Sequence, residues 1–158
     1  MSMIHLTTFI AAPQQRVFDL SRSVDLHKFT MEKYGESIIK GTVAGLMNVE
    51  DEVTWKARHL FKERTLSVRI TALKQPDYFA DEQIRGDFAL MKHEHYFKPA
   101  ENGTIMIDQF RYELKQGVWG RLVNRFYLEK YLRRLLVERN EGIKTIAEGN
   151  QWKQFLEK

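Results

Sequence analysis

A chain of 158 residues with 43% hydrophobic and 29% charged residues carries enough apolar material for one ordinary globular domain. The absence of cysteine excludes a disulfide framework, a thiolate nucleophile and a cysteine metal site. The net charge of +4 is modest, and the basic run of Arg121, Arg125, Lys130, Arg133 and Arg134 is interrupted by Glu129 and Glu138. It reads as a solvated face; a nucleic-acid surface would need denser clustering with exposed aromatics.

The opening MSMIHLTTFIAAP lacks the basic start and long apolar core of a signal peptide, and no run approaches the roughly 18 apolar residues of a membrane span. The expectation is a cytoplasmic protein with no nucleic acid and no membrane span among its contacts; a homodimer stays open.

Residues 3–10 (MIHLTTFI) are predicted as a first strand. Pro13 then favours a helical first turn over Gln14 to Leu20, and Ser23 is a candidate N-cap for a second short helix ending at Gly35. From Ser37 onward the pattern alternates. Val53, Trp55 and Ala57 share one face of a strand, and Leu66, Val68, Ile70 and Ala72 share a face of the next. Tyr78 to Arg85, Phe88 to Lys98 and Thr104 to Leu114 complete about seven strands, joined by short turns such as Gln75-Pro76-Asp77. This is an α+β pattern with an antiparallel meander, without βαβ units.

The last third, from about Gly117 to Ala147, has helical apolar spacing: Trp119, Leu122, Val123, Phe126, then Leu128, Leu132, Leu135, Leu136, Ile143 and Ile146. The stripe of its first half does not line up with that of the second and swings near Tyr127 to Lys130. Either the helix bends there or its halves pack against different partners. Arg139 falls within the second stripe. Its stem could pack while its head reaches water, or its guanidinium could face inward toward a carboxylate or an anionic ligand group.

Polar groups also point inward in the last hairpin. In Phe88 to Lys98 one face carries Met91, His93, His95 and Phe97, and the other carries three charges, so the first should face the core. In Thr104 to Leu114 the more aromatic face is Met106, Asp108, Phe110, Tyr112 and Leu114, which places Asp108 inside. A hairpin through 99–103 then sets His95 or His93 across from Asp108, within reach of a His–Asp contact. The constellation is His93, His95, Asp108, Tyr112 and Arg139. It admits three readings: a satisfied polar network that fixes register, a ligand-contacting network, or a catalytic or metal role. His-x-His plus Asp could supply three ligands for zinc or iron. No Gly-rich phosphate loop, nucleophile elbow or HExxH pattern accompanies it, and no cofactor or metal is expected.

Layout and residues together resemble the START/Bet v 1-like superfamily (SRPBCC, polyketide cyclase-like), nearest its bacterial ligand-binding branch often labelled cell-division-inhibitor-like. The resemblance is carried by Ile10-Ala11-Ala12-Pro13 with Val17-Phe18, by Ile70, Pro76, Phe79, Gly86, Phe88, His95 and Phe97, and by Gly103-Thr104, Asp108, Tyr112, Gly117 and Arg139. Gln116 stands where that branch usually has a proline, and His93 is additional to its pattern. The resemblance implies a helix-grip fold, a seven-stranded antiparallel sheet curled around the C-terminal helix, with a cavity for an apolar or amphipathic small molecule. On that basis a lipid, quinone or polyketide would sit against Trp55, Phe110, Tyr112 and Phe126, with its polar head at His93, His95, Asp108 and Arg139. The alternative is a cyclase- or dehydratase-like enzyme that uses an inward His/Asp pair.

Overall fold

The computed structural model describes residues 1–115 and 124–157. The expected helical positions Gly117, Trp119, Leu122 and Val123, together with Gln116 and Arg121, lie outside the described residues, as does the Arg125 side chain.

Strand β1 (Ser2–Ile10) leads through Pro13 into α1 (Gln14–Ser21) and α2 (Val24–Thr30). Ser23 caps α2 as expected, its hydroxyl accepting the Leu26 N–H at 3.2 Å. The helix expected to run on to Tyr34 stops at Met31 and is followed by a separate 3-10 turn, Glu32–Tyr34. Gly35 closes that turn at φ 63°, a left-handed conformation that costs glycine nothing.

Six further strands follow: β2 (Ser37–Gly41), β3 (Glu52–His59), β4 (Lys62–Lys74), β5 (Tyr78–Arg85), β6 (Phe88–Ala100) and β7 (Gly103–Leu114). They form one seven-stranded antiparallel sheet in the order β1-β7-β6-β5-β4-β3-β2. The meander is thus closed by β1, which returns to pair with β7 from Ser2↔Tyr112 to Ile10↔Thr104.

The alternation in sequence becomes the two faces of this sheet. Val53, Trp55, Val68, Ile70, Met91, Phe97, Met106, Phe110 and Tyr112 all join the buried core. One expectation fails on β4. The pairing with β5 shifts between Ile70 and Ala72, so Leu73, paired with Phe79, packs on the core in place of Ala72. An extra residue in one strand exchanges the faces beyond it.

Among the described residues, the C-terminal helix comprises a π-helical turn, Asn124–Leu128, that continues as α3 (Glu129–Glu148), followed by the short α4 (Lys153–Leu156). The π turn sits where the apolar stripe swings in sequence, and its wider winding resets the phase of the side chains. The two parts of α3 also meet different partners. Leu132, Leu135 and Leu136 face a cavity over the sheet, whereas Ile143, Ile146 and Ala147 are fully packed in the core. The backbone near Gly142 comes close enough to α2 that a Cβ there would lie 2.5 Å from Thr30 Cγ2.

A cavity with a buried His–Asp–Arg cluster

Between the sheet and α3 lies a cavity of about 610 Å³. That volume lies within the range of small-molecule sites. Its wall is largely apolar, including Trp55, Val68, Phe79, Phe110, Leu132 and Leu136. The strand pleat explains the wall: alternate residues of β3 to β7 project to the concave face, and the bulky ones among them cannot reach α3 everywhere.

Polar groups line part of this wall. His93 and His95 project from β6, Asp81 from β5 and Arg139 from α3. Asp108 sits immediately behind them on β7, with no exposed surface. His95 is paired directly with Asp108 in the β6–β7 ladder, and Asp81 is paired with His93 in the β5–β6 ladder. The Asp108 Oδ1 atom accepts from His93 Nε2 at 2.9 Å and from His95 Nδ1 at 3.0 Å, and Oδ2 accepts from Asn140 Nδ2 at 2.7 Å. Arg139 Nη1 lies 3.6 Å from the same Oδ1. Its guanidinium also donates to the Asn140 side-chain oxygen and to the Ser21 carbonyl. On the far side of His95, Nε2 lies 2.9 Å from Asp81 Oδ2. Phe79 stacks on the His95 ring at 4.1 Å, fixing its plane.

These contacts set the ionisation. Burial alone would raise the Asp108 carboxyl, but the hydrogen bonds from His93 and His95 hold it well below the usual carboxylate range. Asp81 is likewise lowered, burial being outweighed by its bond to His95 and by the charges around it. Burial, reinforced by the neighbouring His95, pulls His93 down to about 4. An ionised Asp108 can only accept, so His93 Nε2 and His95 Nδ1 carry the hydrogens of their bonds to it.

Of the residues proposed from sequence, Trp55, His93, His95, Phe110 and Arg139 line the cavity. Arg139 is 8% exposed, and of the two orientations left open it takes the inward one. Asp108 and Tyr112 are buried behind the lining: Asp108 reaches the cavity through the histidines and Arg139, and Tyr112 packs into the aromatic layer of Phe88 and Phe110. Phe126 is a correction. It is 75% exposed, lies within the π turn and forms no part of the wall.

Three cluster residues were not foreseen: Asp81, Asn140 and Ser21, the last through its carbonyl. Asp81 follows Phe79 by two positions on one strand, which was the available signal for a shared face. A second polar patch was also missed. His59 Nδ1 lies 2.8 Å from the Tyr131 hydroxyl, and Glu36 pairs with His27 at 3.1 Å; all four residues line the cavity. The second oxygen of Glu36 is buried with no hydrogen-bond partner among the described residues.

No family model matches the chain, and none of the curated proteins does. Solved structures share the fold. A protein of Thermus thermophilus superposes with a TM-score of 0.75 at 17% identity, over 91% of this chain and 95% of that one. A START superfamily protein from Mycobacterium smegmatis gives 0.67 at 13% identity, over 92% and 97%. Major latex-like protein 151 from Panax ginseng gives 0.65 at 12% identity, over 94% and 98%. The helix-grip architecture expected from the START/Bet v 1-like resemblance is therefore the fold of this chain. No helix of the described residues is long and apolar enough to cross a membrane.

Proposed function

We propose that this protein binds a hydrophobic or amphipathic small molecule between the sheet and α3. The observation that carries the reading is the cavity: about 610 Å³ of apolar-walled space into which His93, His95, Asp81 and Arg139 converge. Apolar walls with a few placed polar groups are the usual form of a ligand site. Aromatic and aliphatic side chains would hold the body of a lipid, quinone or polyketide. Neutral His93 and Arg139 offer donors or acceptors to a carbonyl or hydroxyl at its polar end. A second polar group on the ligand would meet His59, Tyr131 or Glu36. The likeness to a START superfamily structure supports the class of function at the level of fold.

Native mass spectrometry of the protein purified from its own host tests this, followed by extraction and identification of any retained molecule. Retention of one apolar molecule, lost on replacing Leu132 by tryptophan to fill the cavity, is the expected result. A clean apo mass together with no binding of a fluorescent fatty acid or of anilinonaphthalene sulfonate would overturn it.

A second reading is favoured by one observation: His95 is held between two carboxylates, an arrangement that fixes the ring orientation of a proton-transfer group. In a cyclase- or dehydratase-like enzyme, His95→Ala abolishes turnover while affinity for the apolar ligand is kept. In a binding protein the same change lowers affinity and there is no turnover to lose.

A further inference from the structure

We propose that Asp81, His93 and His95 form a three-ligand site for a divalent first-row transition metal ion, with Asp108 as the shared outer carboxylate that orients both imidazoles. One carboxylate oxygen of Asp81 and one nitrogen from each histidine already lie within 4.8 Å of one another.

The hydrogen bonding selects which nitrogens are free. Asp108 takes the N–H of His93 at Nε2 and of His95 at Nδ1. That leaves a lone pair on His93 Nδ1, which has no hydrogen-bond partner among the described residues, and places His95 Nε2 2.9 Å from Asp81 Oδ2, where a metal ion would replace any proton the two share. Metal-bound histidines typically donate their other N–H to a carboxylate in this way. Here one buried aspartate serves two of them, and Asn140 and Arg139 hold it in turn.

Charge points the same way. Asp81 and Asp108 are two negative charges, and Arg139 is one positive charge. With neutral imidazoles the buried cluster keeps one negative charge in excess, which a low-dielectric interior disfavours. A neutral His95 also has one N–H for two carboxylate partners. A metal ion bound to Nε2 and Asp81 Oδ2 would bridge that contact. Two imidazoles and one carboxylate suit zinc or iron(II), with no thiolate required.

Bonds of about 2.0–2.2 Å set neighbouring donor atoms roughly 3–3.5 Å apart; Asp81 Oδ2 and His95 Nε2 already lie 2.9 Å apart, and the widest separation, within 4.8 Å, must close by up to about 1–2 Å. Asp81 is the member free to move: its side chain is 18% exposed, and it lines the cavity. Three protein ligands would leave coordination positions open toward the cavity, where an oxygen of a bound molecule could enter. The proposal does not depend on that molecule, since the cluster is complete without it.

The test is titration of the untagged, EDTA-treated and desalted protein with Zn²⁺ and, separately, Co²⁺, in the absence of any organic ligand. The expected result is one equivalent bound at micromolar concentration or tighter, with a visible Co²⁺ absorption band that Zn²⁺ abolishes. Asp81→Ala and His93→Ala should lose the band, and Asp108→Asn should weaken binding about 10–100-fold. A readout needing no variant is the proton NMR spectrum of the Co²⁺-loaded wild type. It should show two solvent-exchangeable, strongly shifted imidazole N–H signals, from His93 and His95. Binding only at millimolar concentration, absence of those two signals, or Co²⁺ binding unchanged in Asp81→Ala would each overturn the proposal. Failure here with retention of an apolar molecule in native mass spectrometry would leave the ligand-binding reading standing.

Discussion

His95 stands directly across from Asp108 in the β6–β7 ladder, with its Nδ1 3.0 Å from the aspartate oxygen, while its Nε2 reaches Asp81 on β5 at 2.9 Å. One imidazole thus ties together three neighbouring central strands. A slip of one residue between β6 and β7 would turn Asp108 to the outer face and bring Gln109 inward, leaving His93, His95, Asn140 and Arg139 without their acceptor. The cluster therefore specifies register in the same contacts that shape the polar end of the cavity.

The first prediction concerns that acceptor. Asp108→Ala strands two imidazole N–H groups and the Asn140 amide and leaves Arg139 without its nearest buried counter-charge. Breaking a buried charged network of this kind costs about 3–5 kcal/mol. Asp108→Asn keeps the size and one acceptor oxygen and should cost about 1–3 kcal/mol. Urea unfolding in the presence of EDTA reads both, and a loss below about 1 kcal/mol for the alanine variant would show that Asp108 is not the organising acceptor.

Two phenylalanines on the predicted wall should separate cleanly. Phe110 is buried, with its ring against His93 at 5.3 Å and Phe88 at 6.3 Å, whereas Phe126 is largely solvent-exposed. Phe110→Ala should cost about 3 kcal/mol, the lower end of the range for a core aromatic because one side of the ring already faces a cavity. Phe126→Ala should change stability by no more than about 0.5 kcal/mol. Equal effects in thermal or urea unfolding would contradict the π-turn placement of Phe126.

The contrast between these residues shows what the sequence could and could not disclose. Strand faces were legible because charges mark one side of β6 so heavily that His93 and His95 had to lie on the other. The short loop after β6 then constrained which of them met Asp108. Arg139 was undecided, since an arginine in an apolar stripe satisfies both a snorkelling and an inward geometry until its partner is known. Asp81 escaped notice because β5 reads Tyr-Phe-Ala-Asp-Glu-Gln-Ile-Arg, with polar residues on both faces and no clean alternation. Ala72 and Phe126 were misplaced for a shared reason: a bulge and a π turn each add a residue to a regular repeat, and periodicity carries no mark of where that happens.

Acid should weaken the fold through His59. Burial, helped by Arg64 and opposed by Glu36, holds its pKa below the ordinary histidine value. The unfolded chain therefore binds the proton at a higher pH than the native one does. The contribution of neutral His59 to stability is complete above the ordinary value and declines as pH falls through it toward the depressed value. His59→Gln preserves a polar group for the Tyr131 hydroxyl but removes this titration. Urea midpoints at about pH 7.5 and about pH 5 should fall less in the variant than in the wild type. A wild-type midpoint no more acid-sensitive than that of His59→Gln would refute the shift.

Gly142 gives the last prediction, because two effects of known size oppose each other there. In an exposed helix interior, glycine to alanine gains about 0.8–1.0 kcal/mol. Here the new methyl would lie 2.5 Å from Thr30 Cγ2 and 3.1 Å from Thr30 Cβ. Thr30 cannot rotate away freely, since it is β-branched and its hydroxyl donates to the His27 carbonyl at 3.2 Å. Either α3 lifts from α2 or the threonine leaves its rotamer, and overpacking of this kind costs about 1–3 kcal/mol. Gly142→Ala should therefore destabilise by up to about 2 kcal/mol despite its helix propensity. Thr30→Ser removes Cγ2 and keeps the hydroxyl, so Gly142→Ala placed on that background should become neutral or stabilising. The coupling between the two sites in a double-mutant cycle is the decisive quantity. Additivity would mean that α2 and α3 do not approach as closely at Gly142 as the structure shows.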